Sequence, residues 1–301
     1  MVRLKEGPQE DDMDHITMTK AVRLEELGGD VKLLPRVGVT GSRLMVFSQA
    51  EAPVLTEISL VDGSIQRRLL EDPGVEIHFV QALAPNRRLL VSAFSEGGEK
   101  NAFVYDGSGK RLFSFRAGDA VEEVQVMDDT IWIGYMEDGI LKEDSFSKHG
   151  ALALDPEGNI LFSYRETAGR QGLPGVRDCY GLNATEDGEV WLYYSIDHLM
   201  ARITRGRVKQ FWKGGPVLSW HSPLVQARGF ALWNRQLLFA TPARELYWAS
   251  LRHGILERVK PVDVEGREIA FSRYWTRDFR LFLLEGSDVY LYDMKQHGMK
   301  M

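Results

Sequence analysis

Cysteine is almost absent from this chain: among 301 residues only Cys179 carries a thiol. That excludes an intramolecular disulfide, a Cys-x-x-Cys redox pair and a zinc ribbon. No apolar run approaches the roughly 18 residues of a membrane span. The first twenty residues carry Glu6, Glu10, Asp11, Asp12 and Asp14 where a secretory signal needs an apolar stretch. Excess basic charge is lacking too. Lys and Arg number 37 against 43 Asp and Glu, a net charge of −6, and the basic residues are scattered. This argues against a surface that tracks the phosphates of nucleic acid. His-Glu-x-x-His, the Gly-x-Ser-x-Gly elbow, the Walker A loop and the dinucleotide fingerprint are all missing, as is sustained helical periodicity. The expectation is a cytoplasmic chain with neither membrane nor nucleic-acid partner, large enough to bury a core without disulfide or metal support.

What is present is a periodic set of turns. One family comprises Val61-Asp62-Gly63-Ser64-Ile65, Tyr105-Asp106-Gly107-Ser108-Gly109, Asp155-Pro156-Glu157-Gly158-Asn159, Thr204-Arg205-Gly206-Arg207 and Arg252-His253-Gly254-Ile255. The apolar markers that follow, Ile65, Leu112, Ile160, Val208 and Ile255, lie about 47 residues apart. A second family interleaves with it: Thr40-Gly41-Ser42, Ala84-Pro85-Asn86, Asp128-Asp129, Glu186-Asp187-Gly188, Asn234-Arg235 and Thr276-Arg277-Asp278. Short β-branched, aromatic or aliphatic segments flank every turn, for example Ile131-Trp132-Ile133 and Val190-Trp191-Leu192-Tyr193. These are strands bounded by turn residues.

Two hairpins per repeat make a four-stranded antiparallel unit of propeller-blade size. With strands A to D running outward from the axis, the sixth repeat ends after its C strand, Asp288–Asp293. The segment Ala21–Leu27 resembles the D strand Ser64–Leu70 and supplies the missing piece, closing the ring and covering an open edge. The expected architecture is all-β: a six-bladed β-propeller over residues 21–301, closed by an N-terminal strand in the last blade, behind a flexible leader at 1–20. Two β-sandwich domains are the competing architecture, but the uniform interval and the lack of a linker speak for one domain. Runs such as Asn183-Ala184-Thr185-Glu186-Asp187-Gly188-Glu189-Val190 and Ala153-Leu154-Asp155-Pro156-Glu157-Gly158-Asn159-Ile160 resemble the D-x-x-G-x-[IVL] blade pattern of six-bladed propellers of the NHL, TolB-like and gluconolactonase/regucalcin type. The resemblance implies a fold rather than an activity.

In such a ring the B–C and D–A connections share one face, and the A–B and C–D turns share the other. The longer connections, at 136–148, 166–179 and 213–227, all fall on the first face, in blades 3 to 5. Long loops of a compact domain often carry function. They hold His149, Arg177, Asp178, Trp220 and His221. Counting back from the A–B turns places Arg36, His78, Glu122 or Glu123, Asp178 or Tyr180, Arg228, and Arg267 or Glu268 at the mouth of the central channel. Candidate ligand-binding residues are therefore His78, His149, Arg177, Asp178, Tyr180, Trp220, His221 and Arg228. The competing assignment of these charges is a solvated rim with ion pairs between blades, with Trp212 and Trp220 filling gaps. His78, His149, His198 and His221 are placed to meet on the loop face, whereas Cys179 reads as a buried filler.

The leading functional expectation is a non-catalytic recognition propeller that binds a protein segment or a small anionic ligand, with no cofactor. The gluconolactonase resemblance implies a different one: a metal-assisted hydrolase or lactonase holding calcium or another divalent ion at the channel mouth. Its oxygen ligands would come from Glu122, Asp178, Asn183 and Glu268, against three nearby guanidinium groups. A third is a scaffold or homo-oligomer.

Overall fold

The computed structural model describes residues 14–24, 36–49, 52–83, 86–142, 144–195, 197–213, 217–219, 222–225 and 227–297. Strands β1 (His15–Thr17) and β2 (Thr19–Arg23) come first. Blade 1 is β3 (Arg36–Thr40), β4 (Arg43–Ser48), β5 (Val54–Ser59) and β6 (Ile65–Leu69). Blade 2 is β7 (Phe79–Ala82), β8 (Arg88–Val91), β9 (Ala102–Tyr105) and β10 (Arg111–Phe115). In blade 3, β11 (Val121–Met127), β12 (Thr130–Tyr135), β13 (Ala151–Leu154) and β14 (Ile160–Ser163) are interrupted by helix α1 (Glu137–Leu141) and followed by α2 (Tyr164–Arg170). Blade 4 contains β15 (Asp178–Ala184), β16 (Glu189–Ser195), β17 (Leu199–Thr204) and β18 (Arg207–Trp212). Blade 5 contains β19 (Gly229–Trp233), β20 (Gln236–Ala240), β21 (Leu246–Ser250) and β22 (Ile255–Val262). Blade 6 contains β23 (Arg273–Arg277), β24 (Arg280–Glu285) and β25 (Asp288–Asp293), and α3 (Met294–His297) follows. Neighbouring A strands touch all the way round, β23 against β3 included. The fold is the six-bladed β-propeller that the turn spacing predicts.

The repeat is visible because its turns are held locally. Asp106 Oδ1 accepts from the backbone N–H of Ser108 at 2.8 Å and of Lys110 at 3.1 Å; Asp155 Oδ1 does the same for Glu157 at 3.0 Å and Asn159 at 2.8 Å. Gly109 and Gly158 close these turns at φ of 94° and 91°, where a side chain would strain the backbone. Because each turn satisfies its own backbone, blade boundaries do not depend on distant contacts.

Between the turns, the B and C strands are buried on both faces, so they read as continuous apolar runs rather than alternating ones. The largest apolar cluster fills the spaces among blades 2, 3 and 4. Blades 1 and 2 are also joined by a buried ion pair. Glu57 of β5 and Arg88 of β8, both buried, form a bidentate pair at 2.5 and 2.8 Å. Outer strands such as β6 and β10 are largely exposed.

Closure differs in detail from the expectation. β2 pairs antiparallel with β25, from Thr19 opposite Leu291 to Arg23 opposite Asp288, and so completes blade 6. The clasp is Thr19–Arg23 instead of 21–27, and residues 25–27 lie outside the described residues. Nor does the expected leader run to residue 20. β1 adds a fifth, parallel strand to blade 5, with His15 opposite Lys260 and Thr17 opposite Val262. Ile16 and Met18 anchor the segment by burying their side chains in the core of blades 5 and 6. Two apolar residues within an otherwise polar stretch are too few to register as a strand by periodicity. Among the described residues no helix is long and apolar enough to cross a membrane.

Candidate functional site

The central channel opens on the face of the B–C and D–A loops into a cavity of about 150 Å³, lined in part by Arg36, His78, Gln81, Glu123, Arg228 and Arg273. Arg36, His78, Arg228 and Arg273 arrive from the start of an A strand or the loop before it, whereas Gln81 lies deeper along β7. In β11 a bulge between Val121 and Glu123 presents two acidic residues in succession. Glu122 Oε1 pairs with Arg228 Nη1 at 2.8 Å, and that guanidinium also lies 5.4 Å from the Tyr180 ring centroid. A matching bulge in β15, between Cys179 and Gly181, places Tyr180 there.

Burial governs the electrostatics of this mouth. It raises the Glu122 carboxyl to about 7 despite Arg228, with Asp178 adding to the rise, and the Glu123 carboxyl to about 8. Asp178 is also raised, chiefly by burial and against the pull of Arg228. At neutral pH Glu122 and Glu123 therefore hold protons for much of the time, and the guanidinium groups are less neutralised than a count of acids suggests. Arg36 is engaged by Glu76 at 2.5 Å and by the Ile77 carbonyl at 3.0 Å. Arg273 makes no hydrogen bond or ion pair among the described residues; burial and then the nearby Arg36 cation lower its pKa. His78 accepts the Ala93 N–H on Nδ1 at 3.1 Å, and burial, with Arg36, favours its neutral ring.

At the other end, amide side chains tie the A strands together. Gln125 Nε2 donates to the Leu182 carbonyl at 2.8 Å, while its Oε1 accepts from Ala184 N at 2.9 Å and from Arg277 Nη1 at 3.0 Å. Asn183 Nδ2 donates to the Phe230 and Asp278 carbonyls at 2.7 and 2.8 Å, and its Oδ1 accepts from Asp278 N at 2.7 Å. Blades 3, 4, 5 and 6 are thus pinned at the axis by two amides and a guanidinium.

Several candidates from the sequence are placed elsewhere. Asn183 is buried and fully committed to interblade bonds, so it belongs to no metal site with Glu122 and Asp178. Glu268 is exposed beside blade 5, bridged to Val262 and 3.7 Å from Lys260. The cause is local. Asp263 and Gly266 form another Asp-x-x-Gly turn, with Asp263 Oδ1 accepting from Arg267 N at 2.9 Å, and this folds the chain back on β22. Arg267 accordingly pairs with Asp263 and Glu285 at the rim, and Arg273, which counting back missed, takes the expected place at the mouth. The proposed metal set therefore does not converge, and among the described residues no group of three or more His, Cys, Asp or Glu is arranged to hold an ion.

The histidines do not meet either. His149 bonds Ser163 Oγ at 2.8 Å, and that hydroxyl also caps α2. His198 is buried, 3.1 Å from the Tyr193 hydroxyl and stacked on Tyr180. Trp220 and His221 lie outside the described residues. Arg177 is half exposed and faces Glu137 at 3.3 Å, away from the channel lining. Asp178 and Tyr180 flank the mouth through Arg228, and Trp212 stacks on Trp191 at 5.1 Å as packing. Cys179 is fully buried against Gly134, where a β-carbon would come within 2.5 Å of its sulfur, and burial pushes its thiol well up. The long blade 3 loop is ordered by its own polar groups: Asp144 accepts from Phe146 N and Ser147 N, and it pairs with Arg116. Asp144 thus builds the loop.

This geometry defines a β-propeller with a polar, guanidinium-rich channel mouth. Over residues 151–292 the sequence matches the model of the YxzG family. No curated protein matches the chain. Among solved structures, virginiamycin B lyase from Staphylococcus aureus is similar at 13% identity and a TM-score of 0.46, over 85% of this chain and 94% of that one. BamB from Moraxella catarrhalis is similar at 12% identity and a TM-score of 0.44, over 87% and 70%. PorZ from Porphyromonas gingivalis is similar at 10% identity and a TM-score of 0.50, over 94% of this chain and 32% of that one. At such identities the likeness extends to the fold alone.

Proposed function

We propose that this protein is a cytoplasmic, non-catalytic recognition propeller whose channel mouth binds a small anionic ligand. The observation that carries the reading is Arg273: a partly buried guanidinium facing the channel, without an acidic partner among the described residues, beside Arg36 and Arg228. Guanidinium groups bind carboxylate and phosphate oxygens in pairs. Partial protonation of Glu122 and Glu123 near pH 7 reduces the negative charge that would otherwise repel such a ligand. A cavity of about 150 Å³ suits a small ion or metabolite and is below the range typical for drug-sized molecules. The test is a thermal-shift series with small carboxylates and phosphates at pH 7, followed by calorimetric titration of the best of them. A ligand that stabilises the wild type and loses its effect in Arg273→Ala supports the reading, since binding to the native state raises its melting temperature. No stabilisation by any anion ends it.

A second reading rests on the same acids. A carboxyl poised near 7 or 8 in a cleft is suited to general acid–base work, and a hydrolase acting at the mouth would use Glu122 or Glu123. Lactone hydrolysis that disappears in Glu123→Gln while anion binding persists would favour it.

A further inference from the structure

The face opposite the mouth carries a larger cavity of about 430 Å³, between the A–B turns of blades 4, 5 and 6 and helix α3. Its walls include Glu186, Trp191, Trp233, Asp278 and Lys295. Asp278 is the unusual member. It occupies the β23–β24 turn at φ of 52°, is 6% exposed, and its Oδ2 has no hydrogen-bond partner among the described residues. Burial, followed by the Glu186 carboxylate, raises its pKa to about 6, which leaves it ionised at neutral pH. A buried carboxylate oxygen without a donor is costly until a cation or donor completes it.

The chain already shows what this wall accepts. Lys295 Nζ stands 4.8 Å from the Trp233 ring centroid, 3.6 Å from that of Phe279 and 3.4 Å from Glu186 Oε2. Its charge favours the ionised form of Asp278, although no hydrogen bond joins the two among the described residues. Other acids around the cavity are committed: Glu189 to Arg202 and the Trp191 Nε1–H, Asp187 to the Thr185 hydroxyl. With Lys295 in place the cavity is still open.

We propose that this cavity binds an alkylammonium group, which replaces Lys295 on the Trp233 face and donates to Asp278 Oδ2. Aromatic faces attract cations, most strongly where water is excluded, and the buried carboxylate supplies the directional bond. Lys295 then acts as a built-in competitor that lowers the apparent affinity. The ammonium could belong to a free amine or to a lysine side chain of another protein, and the two sources share this chemistry.

Calorimetric titration and tryptophan fluorescence with two probes, cadaverine and a blocked Gly-Lys-Gly tripeptide, test the proposal and separate the sources. Saturable binding of at least one probe is expected, and the tighter probe identifies the source. Lys295→Ala should strengthen binding about tenfold, because the competing state is removed. Asp278→Asn should abolish it while preserving the left-handed turn that Asn tolerates. Trp233→Leu should abolish it independently, which covers the case where Asp278→Asn does not fold. Failure of both probes with the wild type and with Lys295→Ala would overturn the proposal, as would undiminished binding in the Asp278 or Trp233 variant.

Discussion

The two ends of the channel are built from similar polar residues on the same six strands, yet they do different work. At the lower end, Gln125 makes four bonds and Asn183 three to groups of other blades, which leaves these two amides nothing over for a ligand. At the mouth, the Arg273 guanidinium has no hydrogen-bond or ion-pair partner among the described residues, and burial raises the pKa values of Glu122 and Glu123 to about 7 and about 8. A polar group inside a propeller is thus structural when the chain itself satisfies it, and available for recognition when the chain does not.

The largest expected effect breaks the lower end. Asn183→Leu removes three interblade hydrogen bonds and leaves buried carbonyls without donors, so chemical denaturation should show a loss of about 3 kcal/mol. If stability were unchanged, the amide would not be a brace and the contrast would fail.

A pH series sharpens the upper end. Glu122 and Glu123 have folded-state pKa values raised above the ordinary 4.5, to about 7 and about 8. The folded protein therefore binds more protons than the unfolded one across this window. Their contribution to stability is fully present below 4.5 and is lost as pH rises to about 8. Denaturation midpoints measured from pH 5 to pH 8 should fall on account of this pair, and Glu123→Gln should flatten the fall. A slope that Glu123→Gln leaves unaltered would show that this carboxyl is not desolvated.

Arg273→Ala should change ligand binding rather than folding. Loss of a charge-assisted contact predicts roughly a tenfold or greater weakening of anion binding, with the denaturation midpoint held or slightly raised because Arg36 no longer faces a second cation. A marked destabilisation would reassign Arg273 as a structural residue. The smallest effect is expected for Arg177→Ala. Its exposed pair with Glu137 contributes about 0–0.5 kcal/mol, and anion affinity should be unaltered. A large loss of affinity would move the site out to the blade 3–5 loops.

How much of this was legible depends on how local each cause is. Asp106 and Asp155 hold their turns through neighbouring N–H groups, so spacing revealed the blades. His78, Glu123 and Arg228 line the channel mouth, where counting back from the A–B turns puts the start of each A strand. Arg273 was missed because the Asp263 turn lengthens the path into β23, although Asp263-x-x-Gly266 was itself a readable signal. The lower cavity was missed because tight A–B turns look featureless in sequence; its walls assemble from Glu186, Trp233, Asp278 and Lys295, which three blades and the C-terminal helix bring together.

The number of blades, the need for an N-terminal strand to finish the last one, and the face that bears the longer loops are all written in the local sequence. These follow from turn chemistry and strand period, which act over a few residues. Which polar side chains are satisfied depends instead on contacts between distant blades. Asn183 and Glu122 are both polar residues of inner strands, and nothing near either in sequence tells them apart. The difference is set by carbonyls 47 and 95 residues from Asn183 along the chain and by the depth at which Glu122 loses its water.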